Sequence, residues 1–474
     1  MDLILPDNIW EHQKIAVTES LKHASFAYLM DCGVGKTLTA VTHLRNLFKR
    51  HGRPLRTLIL CPAVVVRNWE AEIEKFSNCG KYVQPLTGNK QKRLLGLEEK
   101  DKAIFITNFE ALDMQGLFWT EKNKSRIVRD LGVELLIIDE SHRLKNPSAK
   151  RTKLAIKMAD KVHYKLILSG TPILNSPLDI WSQFRILDRG ETFGQNFFAF
   201  RAHYFVDKNI TMPKERYFPD YRFKSELEAE INQKIYSKAV RVMKKDCLDL
   251  PDQVFSQVTV EMGKDQARCY KEMRDQFVTY LKSDAMTADL AITKALRLQQ
   301  IVAGFFTPEE GGEVIAFKEN PRLDALEDLL EDYQTEKVII WSVFKASYKA
   351  IAERCEKLKL EYAFLTGEQN AKEKDASVDK FTKGSTQVLI ANPAAGGTGV
   401  NLIESSTAIW FSRNFKLEDR LQALARNHRG GSNMHQKITV IDLVARGTID
   451  EVVLSALTNK ENLAEKILRS FNAI

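Results

Sequence analysis

The sequence predicts an α/β protein with two parallel-sheet lobes and a mainly helical segment between them. Short, continuously apolar runs alternate with amphipathic helical patterns near both ends of the chain, and this alternation fades from about Phe193 to Phe306. Continuously apolar strands separated by helices are typical of a parallel sheet that helices cover on both faces. We therefore expect a first lobe over residues 1–190, a helical protrusion and linker over 191–316, and a second lobe over 317–474.

Ten apolar runs carry the strand prediction, five in each lobe. Those of the first lobe are Phe26–Met30, Leu58–Cys61, Ala103–Thr107, Leu135–Asp139 and Lys165–Ser169. Those of the second lobe are Val338–Trp341, Tyr362–Leu365, Val388–Asn392, Ala408–Phe411 and Ile438–Leu443. In the middle segment, residues 225–245 and 265–284 combine mixed charge with helical periodicity, so both stretches are predicted to be helices.

Composition limits the class of protein. A chain of 474 residues with 44% hydrophobic and 28% charged residues is typical of a globular protein with more than one domain. Lys and Arg outnumber Asp and Glu by 70 to 62, a net charge of +8 that favours a polyanionic partner without establishing one. The six cysteines show no CxxC or zinc-ligand spacing, so reduced thiols of an intracellular protein are expected. Neither a signal peptide nor a membrane span is expected.

A candidate phosphate-binding loop follows the first predicted strand and opens a helix. It consists of Gly33, Val34, Gly35, Lys36 and Thr37, although the full pattern needs a further glycine three residues before Gly33. Glycines allow backbone N–H groups to surround phosphates, the lysine reaches the β- and γ-oxygens, and the hydroxyl holds Mg²⁺. The alternative interpretation is a glycine-rich turn with a chance Lys-Thr pair.

An acidic pair, Asp139 and Glu140, ends a predicted strand of the same lobe. Ligands of parallel sheets bind at the carboxyl ends of the strands, where the phosphate loop is also expected. Asp139 is therefore predicted to hold Mg²⁺ and Glu140 to polarise the attacking water. Alone, such a pair is more often a solvated turn; the upstream loop favours the catalytic interpretation.

The second lobe offers a glycine-rich run over residues 394–401 and a pair of arginines, Arg426 and Arg429. Spaced three apart, the arginines would share one face of a helix, which could face a nucleotide held by the other lobe. The alternatives are a tight turn and a solvated pair of charges. Residues 143–165 carry eight Lys or Arg and one acidic residue, which fits either a solvated helix or a surface that follows phosphates.

Together these motifs resemble the Swi/Snf-type DNA translocases of helicase superfamily two, over nearly the whole chain and in the same order. The matching segments are Trp10–Gln13, Met30–Thr37, Leu60–Trp69, Ile106–Leu112, Asp139–Asn146, Leu168–Asn175, Arg241–Pro251, Val338–Phe344, Leu389–Leu402 and Gln422–Arg429. Two segments depart from the usual pattern. Met30–Cys32 stands where acidic residues and methionine are usual, and Gly430–Ser432 replaces Ile-Gly-Gln, which leaves the contacts there open.

The resemblance implies two RecA-like lobes that bind ATP and Mg²⁺ between them and hydrolyse ATP when DNA is bound. It implies that Gln13 reads adenine and that Arg426 and Arg429 stabilise the transferring phosphoryl group. Hydroxyl and basic groups at the strand ends of the matching motifs are expected to contact DNA phosphates. These candidates are Thr107, Lys145, Thr171, Ser342 and Thr398, with Ser169 beside them.

The expected function is ATP-dependent translocation on double-stranded DNA by a monomer without membrane contact. No long insertion or flanking DNA-reading domain is evident, which suits a compact phage or bacterial motor in the cytoplasm; in a eukaryote, the nucleus is expected. A strand-separating or branch-migrating DNA helicase is the second interpretation, ranked lower because the sequence shows no clear wedge hairpin. A non-catalytic nucleic-acid-binding scaffold is the third.

Overall fold

The computed structural model describes residues 3–7, 9–119, 131–174, 176–213, 219–282, 288–307, 313–396 and 400–469. It forms two compact units, one of Met1–Leu248 with Lys460–Ile474 and the other of Asp249–Asn459. This division differs from the expected boundaries at 190 and 316. The middle segment belongs to both units because it contributes one strand to each of the two large sheets.

The first unit is built on a seven-stranded parallel sheet and a separate antiparallel pair of short strands. Its strands are β1 (Ser25–Met30), β2 (Thr57–Cys61), β3 (Val83–Pro85), β4 (Ile104–Asn108), β5 (Leu135–Asp139), β6 (Tyr164–Ser169), β7 (Phe205–Asp207), β8 (Tyr221–Phe223) and β9 (Ala239–Val242). The order in the large sheet is β3-β4-β2-β5-β6-β1-β9, and β7 pairs with β8. Because every pair in the large sheet is parallel, the ends of β1, β5 and β6 lie at one edge.

Helices cover both faces of this sheet. They are α1 (Glu11–Ser20), α2 (Lys36–His51), α3 (Val66–Phe76), α4 (Lys90–Glu98), α5 (Lys150–Ala159), α6 (Asp179–Asp188), α7 (Phe197–Tyr204), α8 (Glu228–Tyr236) and α9 (Lys244–Cys247). Successive side chains of a strand point to opposite faces. Accordingly, Phe26 and Tyr28 of β1 lie in one hydrophobic cluster, whereas Ala27 and Leu29 lie in the other.

The second unit is built on a six-stranded parallel sheet. Its strands are β10 (Asp252–Val260), β11 (Phe305–Phe306), β12 (Ile315–Ala316), β13 (Val338–Trp341), β14 (Tyr362–Leu365), β15 (Val388–Ala391), β16 (Thr407–Trp410) and β17 (Lys437–Ala445). The order is β10-β17-β16-β13-β15-β14, and β11 pairs with β12 in an antiparallel ribbon. The helices are α10 (Lys264–Lys282), α11 (Ala288–Val302), α12 (Pro321–Asp332), α13 (Lys345–Lys357), α14 (Ala371–Lys383), α15 (Pro393–Gly396), α16 (Leu417–Asn427) and α17 (Ile449–Arg469).

The predicted fold class, with two RecA-like parallel-sheet lobes, is confirmed, and all ten predicted strands are present. The predicted helix over 225–245 is wrong in its second half: α8 ends at Tyr236, and Ala239–Val242 forms the edge strand β9 beside β1. The helix predicted over 265–284 corresponds to α10 as far as Lys282; its last two residues lie outside the described residues. Across the described residues, no helix has the length and apolarity to cross a membrane.

Candidate active site

The predicted phosphate loop connects β1 to α2 at the carboxyl edge of the first sheet. Gly33 and Gly35 have φ angles of 92° and 81°, which glycine adopts without steric cost. A side chain at Gly35 would also meet Gln13, since its Cβ would lie 2.0 Å from Gln13 Nε2. The loop conformation therefore requires glycine at both positions, and α2 begins at Lys36 directly after it.

Lys36 folds back over the loop that precedes it. Its Nζ donates to the carbonyl oxygens of Met30 and Asp31 at 3.0 and 3.3 Å. Burial opposes the charge of this amine, but neighbouring acidic groups outweigh burial and raise the pKa of Lys36 overall; these groups are Cys32, Glu140, Asp139 and Asp31. Lys36 is therefore a cation held at the centre of the loop, as contact with phosphate oxygens requires.

Gln13 lies on α1 and contacts the same loop. Its side chain is only 1% exposed, and Nε2 donates to the carbonyl oxygens of Val34 and Gly35, both at 3.3 Å. Its Oε1 accepts from the backbone N–H of Trp10 at 2.9 Å. The structure thus brings Gln13 to the phosphate loop, where a contact to adenine would compete with these hydrogen bonds.

Asp139 ends β5 with its carboxylate held by two donors. Trp69 Nε1, on α3, donates to Oδ2 at 2.9 Å, and the backbone N–H of Glu140 donates to Oδ1 at 2.9 Å. Burial, reinforced by the charge of Glu140, raises the pKa of Asp139 to about 6. A buried carboxylate that favours protonation gains from a nearby cation, so this side chain suits a metal ligand.

The remaining residue predicted to hold the metal, Thr37, is half-buried on the first turn of α2. A threonine hydroxyl and a carboxylate are oxygen donors of the kind Mg²⁺ takes, and Mg²⁺ is commonly held by one or two carboxylates plus substrate phosphates. Within the described ranges, no group of three or more His, Cys, Asp or Glu side chains forms a metal cage. Thr37 and Asp139 therefore fit Mg²⁺ that arrives together with a nucleotide.

Glu140 adopts a backbone conformation that is unusual for a residue with a side chain. Its φ and ψ are 53° and 52°, in the left-handed region, where such a residue pays a cost that is typical of functional sites. Oε2 is buried without a hydrogen-bond partner among the described residues and lies 3.4 Å from His142 Nδ1. His142 Nδ1 also lies 3.0 Å from Ser169 Oγ at the end of β6. The acidic turn is thus linked to the neighbouring strand end.

Three residues of α6 tie the acidic turn to the segment that follows β6, and the sequence analysis gave them no role. Ser141 Oγ donates to Gln183 Oε1 at 2.7 Å, and Gln183 Nε2 donates to the carbonyl of Pro172 at 2.7 Å. Ser182 Oγ donates to the carbonyl of Lys145 at 2.9 Å. The third, Asp179, accepts from a backbone N–H of the same segment at 3.0 Å. The spacing of 179, 182 and 183 on one helix face was the available signal.

The two arginines of the second unit lie in different local structures. The expectation that Arg426 and Arg429 share a helix face is wrong, because α16 ends at Asn427 and Arg429 lies in the turn beyond it. His428 leaves the helical conformation at φ −109° and ψ 83°, and two glycines follow, which do not extend a helix. Arg426 is 8% exposed, and its Nε donates to the carbonyl of Gln422 at 3.0 Å.

The candidate DNA contacts fare unevenly. Thr107 is fully buried and donates its only hydroxyl proton to Leu86 O at 3.0 Å, so it is not available to a phosphate. Ser342 is also fully buried, with Oγ 3.0 Å from Ser412 Oγ, and the same correction applies. Both hydroxyls end interior strands, where burial demands an internal partner.

The other DNA candidates are less constrained. Lys145 and Thr171 are half-buried, and Lys145 Nζ lies 3.5 Å from Asp179 Oδ2. Thr398 lies outside the described residues. In the basic run, Lys165 is buried in β6, whereas Lys153 and Lys157 are exposed on α5. The run is therefore partly structural, and its exposed part is one face of α5.

Comparison with known families identifies the class. The chain matches the SNF2-related domain over residues 27–305 and the helicase conserved C-terminal domain over residues 321–431. The first match alone covers more than half of the chain, so the chain belongs to the SNF2-related family. The predicted class, an ATP hydrolase of helicase superfamily two and of the Swi/Snf type, is confirmed at the level of the family.

Its relatives come from bacteria, phage and eukaryotes. An uncharacterized ATP-dependent helicase, MG018 of Mycoplasma genitalium, is 26% identical over 98% of this chain, which spans only 42% of that protein. Putative protein p41 of Acyrthosiphon pisum secondary endosymbiont phage 1 is 25% identical over 92% of this chain and 93% of its own length. The Sulfolobus solfataricus SWI2/SNF2 ATPase core in complex with dsDNA is 24% identical, covering 100% of this chain and 96% of that chain, with a TM-score of 0.44.

Proposed function

We propose that this protein is an ATP-dependent translocase on double-stranded DNA. The observation that carries the proposal is the meeting of the phosphate loop with the acidic pair at the carboxyl edge of the first sheet. Only β6 separates the strand that ends in the loop, β1, from the strand that ends in Asp139, β5. Ligands of open α/β sheets bind at this edge. An ATP site is therefore the best use of these residues.

The residues of the first unit divide the work of hydrolysis. Lys36 contributes a positive charge to the β- and γ-phosphate oxygens, and Thr37 and Asp139 hold Mg²⁺. The metal ion neutralises charge that builds up on the phosphates. Glu140 accepts a proton from the attacking water, and its buried Oε2 is the oxygen best placed to do so. Gln13 releases its loop contacts and reads adenine.

Arg426 and Arg429 keep the role that the family resemblance gives them, which is to stabilise the transferring phosphoryl group from the second unit. A closed state with ATP and an open state with ADP then differ in free energy, and this difference drives movement. Arg426 donates to backbone in this structure, so its engagement requires a change in local contacts. Arg429, in a turn, requires less rearrangement of the helix.

Double-stranded DNA is the proposed track, and phosphates are the proposed contact. The net charge of +8 and the exposed lysines of α5 supply positive groups that are independent of base sequence. Lys153 and Lys157 are four residues apart on α5 and therefore lie on the same side of the helix. Action as a monomer in the cytoplasm, without a membrane partner, completes the proposal.

A strand-separating activity is the second candidate, and one observation favours it. The segment between β7 and β8 exposes Val206, Ile210 and Met212 to 42%, 73% and 37%. Apolar side chains presented beside basic residues can wedge between base pairs. If this segment is a wedge, Ile210→Asp abolishes unwinding of a forked duplex and leaves duplex-stimulated ATPase unchanged; a translocase that does not unwind shows neither activity on the fork nor an effect of the substitution.

The proposal is tested by phosphate release and by triplex displacement. ATPase activity rises on duplex DNA of any sequence, rises less on single strands, and weakens with salt at about 0.9 of log–log slope per neutralised phosphate. The protein displaces the third strand of a triplex. Strong unwinding of forks without triplex displacement makes it a helicase, stimulation by RNA alone defeats both readings, and absence of hydrolysis makes it a scaffold.

A further inference from the structure

An arginine outside the predicted site residues contacts the phosphate loop from the side. Arg241, on the edge strand β9, donates through Nη2 to Asp31 Oδ1 at 2.8 Å. Its Nη1 donates to the carbonyl of Leu29 at 3.1 Å and to the carbonyl of Gly170 at 3.2 Å. One guanidinium therefore joins the end of β1, the phosphate loop and the segment after β6. Its side chain is only 11% exposed.

Asp31 is the residue that gives this contact its meaning. Its second oxygen, Oδ2, accepts from the backbone N–H of Lys244 at 3.0 Å, and its own N–H donates to Val242 O at 2.9 Å. The carboxylate is close enough to Lys36 to contribute to the raised pKa of that amine. A negative charge in a loop that binds a triphosphate repels the ligand and competes for the lysine, unless another cation holds it.

We infer that Arg241 is a positioning residue that holds the Asp31 carboxylate and neutralises it, so that Lys36 remains available to the ATP phosphates. The inference rests on the proposed role of Lys36 in phosphate binding. Arg241 acts through Asp31 and does not itself contact the nucleotide. Its planar guanidinium satisfies the carboxylate and two carbonyls at once, which a lysine cannot do with the same geometry.

The inference separates charge from support, because Arg241 also braces two carbonyls. Loss of Arg241 leaves Asp31 with a charge that is no longer neutralised, and removal of that charge reverses the defect. Loss of the carbonyl contacts at Leu29 and Gly170 cannot be reversed by any change at Asp31. Asn at position 31 keeps one acceptor oxygen for the N–H of Lys244 and carries no charge.

The test is binding of the non-hydrolysable analogue AMP-PNP with Mg²⁺, measured by isothermal titration calorimetry on the full chain. Arg241→Met weakens binding by about tenfold, as expected when one charge of a buried pair is left uncompensated. The double variant Arg241→Met with Asp31→Asn restores affinity to within about twofold of the parent protein. Weak binding that Asp31→Asn does not restore overturns the inference, as does unchanged binding in Arg241→Met.

Two further variants keep the result interpretable. Arg185→Met breaks a pair of similar burial, Arg185 with Asp160 at 2.6 Å and side chains 12% and 33% exposed, and leaves AMP-PNP binding unchanged. If Arg241→Met does not fold, Asp31→Asn alone decides: affinity at least equal to the parent supports the inference, and a tenfold loss overturns it. Lys36→Ala tests the proposed function separately, since normal hydrolysis in that variant defeats the phosphate-loop assignment itself.

Discussion

The two units share a parallel α/β architecture but place their charged groups differently. In the first unit, Lys36, Asp139 and Glu140 lie at strand ends along one sheet edge, where their partners are loop backbone atoms and one another. In the second unit, charged side chains are buried in the core. Arg420 forms a bidentate pair with Asp442 at 2.9 and 2.8 Å. Charge at a sheet edge can serve a ligand, whereas charge in a core serves the fold.

The buried group of the second unit contains more arginines than carboxylates. Arg413 also contacts Asp442, with Nη2 3.4 Å from Oδ1, and Arg322 pairs with Asp450. Burial lowers the pKa of Arg413, and Asp442 opposes that shift. Because neither Arg413 nor Arg420 can escape to solvent, removal of Asp442 leaves them uncompensated. The comparison therefore predicts lost chemistry from changes in the first unit and lost stability from changes in this core.

The largest expected effect is loss of hydrolysis in Lys36→Ala. A methyl group supplies no charge to the β- and γ-phosphate oxygens, so phosphate release falls to background. Circular dichroism and duplex DNA binding without nucleotide stay unchanged, because the amine contacts only the loop. Arg53→Ala, which breaks an exposed pair with Glu134 in the same unit, is the control and keeps full activity. Near-normal turnover in Lys36→Ala contradicts the phosphate-loop assignment.

Arg429→Ala tests whether any arginine of the second unit serves chemistry. Arginines that reach a transferring phosphoryl group are worth about 10³–10⁵ in rate. Turnover therefore falls by that range, whereas ATP affinity changes far less. Arg354→Ala, which removes an arginine paired with Asp324 and Glu327 on the outer helices, changes neither. Equal loss of affinity and turnover in Arg429→Ala, with a lowered melting temperature, assigns Arg429 to the fold instead.

Asp442→Asn is expected to destabilise the second unit by about 3–5 kcal/mol, the cost of breaking a buried ion pair from one side. Urea denaturation followed by limited proteolysis measures this loss and locates it within Asp249–Asn459. Asp379→Asn breaks the pair with Lys383 on exposed α14 and costs under about 0.5 kcal/mol. Similar stability in the two variants would show that the core ion pairs are not structural.

The smallest expected effect is an acid sensitivity of the first unit. His43 on α2 is buried, with Nδ1 2.7 Å from Ser20 Oγ, and burial lowers its pKa to about 3. The folded protein keeps His43 neutral, whereas the unfolded chain binds a proton below about pH 6.5. Stability is therefore lost as pH falls from 6.5, by about 2 kcal/mol at pH 5. His43→Asn removes this slope in pH-dependent denaturation, and a slope that persists in the variant refutes the attribution.

The sequence was most informative where one strand or one loop decides the structure. The apolar runs identified all ten strands named, and the phosphate loop and acidic pair proved to end β1 and β5. The edge strand β9 was missed because Ala239–Val242 continues a helical charge pattern and becomes a strand only by pairing with β1. Trp69 and Gln183 were missed as supporting residues because their partners lie 70 and 42 positions away.

Hydroxyl positions were the least predictable. Thr107 and Ser342 occupy strand ends that the family motifs associate with DNA, yet internal hydrogen bonds occupy Thr107 and bury Ser342. Whether a strand-end hydroxyl faces outward depends on which helix covers that edge. Arg429 illustrates the same limit, since a spacing of three places two residues on one face only while the helix continues.

The central claim is that the phosphate loop and the acidic pair form one ATP site with divided roles. Glu140→Gln tests it most directly, because the amide keeps the side-chain size but accepts a proton poorly, while Asp139 still holds the metal. A single-turnover experiment with radiolabelled ATP and Mg²⁺ measures bound and hydrolysed nucleotide in the same sample. The account predicts that Glu140→Gln binds ATP with parental affinity and retains it unhydrolysed. Loss of nucleotide binding in this variant, or hydrolysis at the parental rate, would contradict it.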